Sequence, residues 1–214
     1  MTFWAAEVAL RPVVVHLDES CLGNGREGLT PGGAGGLIEV QAKDGIERRD
    51  LFICQPDTTN NRMALSGAIS ALEFLTPRRQ RLHVLVVSDS EYLVRGIREW
   101  VPNWMARGWR RKAGTIENLE LWQALVQATS RHEVQFTWVR GHQGHPKNEY
   151  VDHLAVRAAK EQIGSQGVVP SGFDEWFAAR RAKGQYLDYD PDAAFAAVER
   201  RLSAGERIPL DGGV

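Results

Sequence analysis

The 214-residue sequence predicts an α/β protein: a five-stranded mixed sheet, three antiparallel strands followed by two parallel ones, with helices on both faces. Three observations carry this. The chain reads in the order strand, strand, strand, helix, strand, helices, strand, helix, an alternation that builds a sheet covered by helices. The fourth strand candidate, residues 82–88 (LHVLVVS), is almost continuously apolar, as a strand covered on both faces must be. Two long helical patterns, 62–75 and 148–163, supply the cover.

Taken in order, residues 13–17 (VVVHL) are β-branched and short, a buried strand. The stretch DESCLGNGREGLTPGGAGG that follows is a Gly-rich turn too long for a tight hairpin. Residues 36–40 and 47–54 are two further strands joined around Asp44 and Gly45, a strong hairpin signal. The helix over 62–75 is stopped by Thr76 and Pro77. Residues 90–100 form a helix halted by Pro102, and 103–107 a short one ended by Gly108. A helix over 118–130, a fifth strand over 133–139 and the helix over 148–163 complete the pattern. After Gly164 the character changes. GSQGVVPSGFDEW reads as a linker, 174–183 and 192–204 as short helices, and the final IPLDGGV as disordered. The expected division is an N-terminal segment 1–11, a domain over 12–163, and a linker with a helical extension over 164–214.

Composition narrows the class. With 43% apolar and 25% charged residues this is an ordinary globular chain, and a formal charge of −1 argues against a highly basic coat protein. Cys21 and Cys54 lie far apart with no CxxC spacing, which argues against zinc and a disulfide framework and makes a reduced, cytoplasmic setting the expectation. MTFWAAEVALRP lacks the basic start and apolar run of a signal peptide. No stretch approaches 18 apolar residues, so no membrane span is expected.

Chemistry concentrates in carboxylates. Asp18 follows the first strand and Asp89 the fourth, so parallel neighbouring strands would deliver both to one end of the sheet, where open α/β sheets place their sites. Asp152 sits on the last helix, just past the turn-rich GHQGHPKNE. Three acids gathered from distant parts of a chain repel unless a cation lies between them, and oxygen-only ligands suit Mg²⁺ or Mn²⁺ and phosphoryl-ester chemistry. The plainer alternative stays open: each Asp could be a helix cap or strand-end turn residue.

The blocks HLDESCLGN, TTNNRM, VSDSEYLVRGI, NWMARGW, WVRGHQGHPKNE and YVDHLA, in this order over residues 12–162, resemble bacterial type I ribonuclease H. The resemblance implies a ribonuclease H-like fold and metal-dependent endonucleolytic cleavage of the RNA strand of RNA–DNA hybrids with two Mg²⁺ or Mn²⁺ ions, by a monomer. It implies Asp18, Asp89 and Asp152 as catalytic metal ligands and His142 as the loop group that assists proton transfer and product release. His145 would shape the turn. Asn24, Thr59, Asn60 and Asn61 resemble the family's phosphate- and minor-groove-contacting groups, able to detect the RNA 2′-hydroxyl. Trp100, Trp104 and Trp109 with the cations around them resemble a substrate handle. Arg95, Arg98, Arg107, Arg110, Arg111 and Lys112 against Glu99 alone give that segment a charge of +5. The tryptophans have a second reading, packing the handle onto the core.

Three departures stand out. The family places a Glu two residues after the Arg of NNRM, and this chain has Ala64. Either Ala64 is an engineered substitution that impairs the site, or the chain is a natural variant that makes do with three acids or recruits Glu19, where the family usually has Gly. Consecutive strand side chains point to opposite faces, so Glu19 would need an irregular turn to join Asp18. Glu91 replaces a frequent Gln and would add negative charge near substrate or serve as an outer metal ligand. The extension offers Trp176, Phe177, Arg180, Arg181 and Lys183, either as a small nucleic-acid or protein contact or as a helix packed back through its aromatics. The rivals to a working hybrid nuclease are a hybrid- or duplex-binding module that has lost catalysis and a DNA-directed nuclease or transposase-like relative, the latter disfavoured by the handle and NNRM.

Overall fold

In the computed structural model, the described residues are 10–23, 29–76, 80–141 and 144–211. Strands β1 (Arg11–Cys21), β2 (Gly32–Ala42) and β3 (Gly45–Gln55) form an antiparallel meander. Helix α1 (Asn60–Leu75) leads to β4 (Leu82–Ser88), which pairs parallel with β1. Helices α2 (Glu91–Arg95), α3 (Val101–Met105) and α4 (Leu119–Thr129) precede β5 (Glu133–Trp138), which pairs parallel with β4. Helix α5 (Pro146–Glu161) is followed by β6 (Val169–Pro170), α6 (Phe173–Arg181) and α7 (Pro191–Ser203). The sheet order is β5-β4-β1-β2-β3-β6.

The five expected strands are present, and the sheet has a sixth. Val169 and Pro170, from the expected linker, pair with Asp50 and Arg49 and cap the β3 edge. A two-residue strand has no periodicity to betray it in sequence. The first connection is also shorter than expected: β1 runs to Cys21 and β2 starts at Gly32, so both ends of the Gly-rich stretch are strand. Its glycines have a packing role. A Cβ on Gly33 or Gly35 would lie 2.3 Å from the backbone oxygens of Ala155 and Val151, so their absence lets α5 rest directly on β2. That contact sets the height of α5, and with it of Asp152, above the sheet.

Alternation along β1 sorts its side chains. Val13, Val15 and Leu17 face the layer of α1, α2 and α4. Val14 faces the other side, where α7 contributes Phe195, Val198 and Leu202. On that side too, Phe173 and Phe177 of α6 join Leu37, Tyr150 and Leu154. Buried apolar side chains of this size contribute about 1.5–3 kcal/mol each, so the extension is packed cover for the sheet, in keeping with the second of its two readings. Ile208 is fully buried and the Trp138 amide donates to Leu210 O at 2.6 Å, which corrects the expectation of disorder for residues 208–211. Their backbone is held by the open edge of β5.

Pro102 does not halt its helix. A π-helical turn over Gly96–Trp100 joins α2 to α3, and Pro102 falls in the first turn of α3. A first-turn proline needs no amide partner within the helix.

Candidate active site

The register brings the acids together. The last parallel rung between β1 and β4 is Leu17 with Ser88, so Asp18 and Asp89 stand one residue beyond it. Asp89 is just past the carboxyl end of β4, and Asp18 is still within β1, which runs on to Cys21 instead of ending before Asp18 as expected. Asp18, Glu19 and Asp89 each offer a carboxylate oxygen within 4.8 Å of the others. Glu19 therefore joins Asp18 without any irregular turn, correcting the expectation from sequence. β1 stays in ladder with β2 through Cys21, Glu19 opposite Ala34 and Asp18 opposite Gly35. The two side chains leave opposite faces, but β4 has already ended, and the longer Glu side chain reaches round the open strand end. Glu19 lies on the face that carries Leu17, in the same apolar layer as the buried methyl of Ala64.

Helix α5 adds two groups on one face, four residues apart. Asn148 Nδ2 donates to Asp18 Oδ2 at 3.2 Å and to Asp89 Oδ2 at 3.1 Å, a fork that holds both carboxylates in register. Asp152 is half-buried one turn further on. Asn148 was not anticipated, because an amide in a first helical turn reads as a capping residue, and its i, i+4 spacing to Asp152 was the available signal. His145 shapes the turn, as expected: its Nδ1 caps α5 by accepting from the Asn148 amide at 3.2 Å. The backbone also closes on Asp89. Trp138 Nε1 donates to Asp89 O at 2.8 Å, and a Cβ on Gly141 would meet Asp89 Oδ2 at 2.2 Å.

Burial, then the charges of Asp89, Glu19 and Asp152, push the Asp18 carboxyl up to about 9. Burial and Asp89 push Glu19 up to about 8, against a hydrogen bond with Ser90. Acids so placed hold protons unless a cation replaces them, and an all-oxygen, all-carboxylate cluster fits a hard divalent ion. The sign of the pH effect follows. Without metal the folded state binds these protons more tightly than the unfolded state, so their contribution to stability is present near pH 4 and lost as pH rises through about 8 to 9. A bound cation displaces the protons, so the rise in melting temperature produced by Mn²⁺ is expected to be larger at about pH 9 than at about pH 6. A metal increment of equal size at both values would contradict this.

The remaining expected residues divide. His142 and Asn24 lie outside the described residues. Thr59 caps α1, accepting from the Arg62 amide at 3.3 Å, and Asn60 and Asn61 form its first turn, with Asn60 Oδ1 buried and unpartnered among the described residues. Trp100 and Trp104 pack with Tyr92 and the fully buried Trp122, the core-packing reading of the handle. Arg107 and Arg111 line a groove of about 550 Å³ beside these rings, and Arg110 is exposed. Arg98 is not free for substrate, since its Nη1 donates to Phe136 O at 2.8 Å and Ile208 O at 3.3 Å. Glu91 is exposed and pairs with Arg95 at 3.3 Å.

The RNase H family model matches residues 11–160, carrying all four acids and the handle. The chain belongs to the RNase H family. A ribonuclease H from Pseudomonas paraeruginosa is 44% identical over 151 residues, 70% of this chain and 94% of that protein. One from Alcanivorax borkumensis is 40% identical over 159 residues, 74% of this chain and 98% of its own length. Among solved structures, LC9-RNase H1, described as a type 1 RNase H with the type 2 active-site motif, is 49% identical. That match covers 89% of this chain and 92% of the other, with a TM-score of 0.79. This RNase H is accordingly an enzyme of the nuclease and hydrolase class.

Proposed function

We propose that this RNase H hydrolyses the RNA strand of RNA–DNA hybrids at a divalent-metal site formed by Asp18, Glu19, Asp89 and Asp152, with Glu19 in place of the acid missing at Ala64. The observation that carries this is the convergence of Glu19 with Asp18 and Asp89 within 4.8 Å. The relative described as having a type 2 active-site motif in a type 1 enzyme supports a site whose acid has moved. Of the two accounts of Ala64, this is the natural variant.

The chain's own residues would divide the work. Asp18, placed between Asp89, Glu19 and Asp152 in the charge cluster, would hold Mg²⁺ or Mn²⁺ together with them. When bound, such ions lower the pKa of a water and stabilise charge on the phosphoryl oxygens and leaving group. Asn148 fixes the two strand-end carboxylates so that little reorganisation is needed. His142 would move the proton, and Asn24, Thr59, Asn60 and Asn61 would meet the backbone and the 2′-hydroxyl. A cleavage assay with the RNA strand labelled, in a hybrid, in duplex RNA and as a single strand, tests the reading. Cutting is expected in the hybrid alone and only with Mg²⁺ or Mn²⁺; hybrid binding without cutting would favour the binding-module rival.

Arg107, Arg110 and Arg111 would contact phosphates along the handle. Their joint replacement by Ala is expected to flatten the dependence of log affinity on log salt by about 0.9 per lost contact. An unchanged slope would mean that the hybrid docks elsewhere.

A further inference from the structure

The extension carries a cation that its own packing leaves without an acidic partner. Arg180, in the last turn of α6, lies over the Trp176 ring at 5.0 Å, and its Nη1 donates to Gln185 Oε1 at 3.4 Å. It takes part in no ion pair among the described residues. Arg181, its neighbour, is committed to the Phe177 ring and to Leu187 O. Arg180 instead forms one wall of a groove of about 320 Å³ whose other walls are Glu149, Asp152, His153 and Val156 of α5. Asp152 thus has the acidic cluster on one side and this groove on the other.

Charge decides what the groove accepts. Its two carboxylates oppose an anion, but Glu149 already accepts a hydrogen bond from the Tyr186 hydroxyl, and Asp152 is an acid whose charge a bound divalent cation would offset. With the cation offsetting Asp152, Arg180 balances the remaining charge of Glu149, and its guanidinium is the cationic donor in the groove wall that an anion can meet. Placement agrees with this. The handle aromatics pack in the layer of α1 and α4, whereas α6 packs with α5 on the opposite face, and the acids sit at the strand ends between them. A duplex lying across those ends would meet the handle on one face and Arg180 on the other.

We propose that Arg180 binds a backbone phosphate of the hybrid beside Asp152, on the side of the acidic site away from the handle. This rests on the hybrid-nuclease reading above. A planar guanidinium held over an indole presents its remaining N–H groups in a fixed fork suited to phosphate oxygens. The extension then both covers the sheet and lengthens the substrate track.

The test measures binding of a fluorescein-labelled RNA–DNA hybrid to the full chain by anisotropy across a salt series, with Ca²⁺ in place of Mg²⁺. Parallel steady-state cleavage is followed in Mg²⁺. Arg180→Gln, which keeps most of the stem over Trp176, is expected to weaken binding roughly tenfold and to flatten the salt slope by about 0.9. In cleavage the effect should fall on KM rather than kcat. Arg180→Lys, which restores the charge, should recover most of the slope. A wild-type chain that does not cleave hybrid overturns the underlying functional reading. Wild-type cleavage with Arg180→Gln at full affinity and slope overturns this inference alone, as does an Arg180→Lys chain as impaired as Arg180→Gln.

Discussion

Replacing Glu19 by Ala is expected to lower hybrid cleavage by about 10²–10³-fold, the usual loss when one well-placed electrostatic group leaves a reaction centre. The Glu19 carboxylate stands within 4.8 Å of those of Asp18 and Asp89, so its removal takes negative charge from where a cation must sit. Fold stability should not suffer, because a buried acid pushed up to about 8 is a source of strain in the metal-free protein. Ala64→Glu in the otherwise unchanged chain is expected to add little, since Ala64 is only 4% exposed in an apolar layer and the acid it would supply is already present. In the Glu19→Ala background the same change should restore part of the rate. Steady-state rates in Mg²⁺ decide the matter: an undiminished Glu19→Ala enzyme would show that three acids suffice, and a large gain from Ala64→Glu alone would return Ala64 to the role of an impairing gap.

The readable parts of this site were those whose signals are local. Asp18 and Asp89 each follow an apolar run, and once both runs are taken as parallel neighbouring strands their meeting is forced. Glu19 was harder. Alternation correctly sends it to the face opposite Asp18, but whether opposite faces matter depends on where the neighbouring strand stops, a property of β4 and not of β1. Asn148 was hidden for another reason, because its two acceptors lie 130 and 59 residues away. The extension's aromatics were visible as a helix face, yet only the fold shows which surface they cover. Arg98 counted as a handle cation from its neighbours in sequence and is instead held by carbonyls of β5 and the C-terminal segment.

Glu39→Gln is expected to cost about 3–5 kcal/mol of stability, the penalty for removing one partner of a buried charge cluster. Glu39 lies on β2 with no exposed surface, opposite Arg48 in the β2–β3 register. It accepts from Lys147 Nζ at 2.7 Å, Arg48 Nε at 3.0 Å and His16 Nε2 at 3.3 Å. Burial alone would raise its pKa, but the hydrogen bond from His16 and the charge of Lys147 outweigh it and bring the carboxyl down to about 2. Arg48 continues to Asp174 of α6 at 3.0 Å and to Asp192 of α7, while Lys147 donates to Pro191 O at 3.0 Å. One acid thus ties β1, β3, α5 and both helices of the extension. Its loss strands Lys147, with 2% of its surface exposed, and leaves Arg48 to Asp174 and Asp192 alone. At roughly 2–4 °C per kcal/mol for a chain of this size, the melting temperature should fall by about 10 °C. The sign with pH is opposite to that of the metal site: a depressed carboxyl stabilises above its unfolded value near 4.5, and the contribution disappears as pH falls toward about 2. The difference between parent and Glu39→Gln should therefore shrink over that acid range. Pairing Glu39→Leu with Lys147→Met removes charge of both signs and should recover part of the loss. A pair of substitutions whose costs simply add would show that the cluster does not act as a unit.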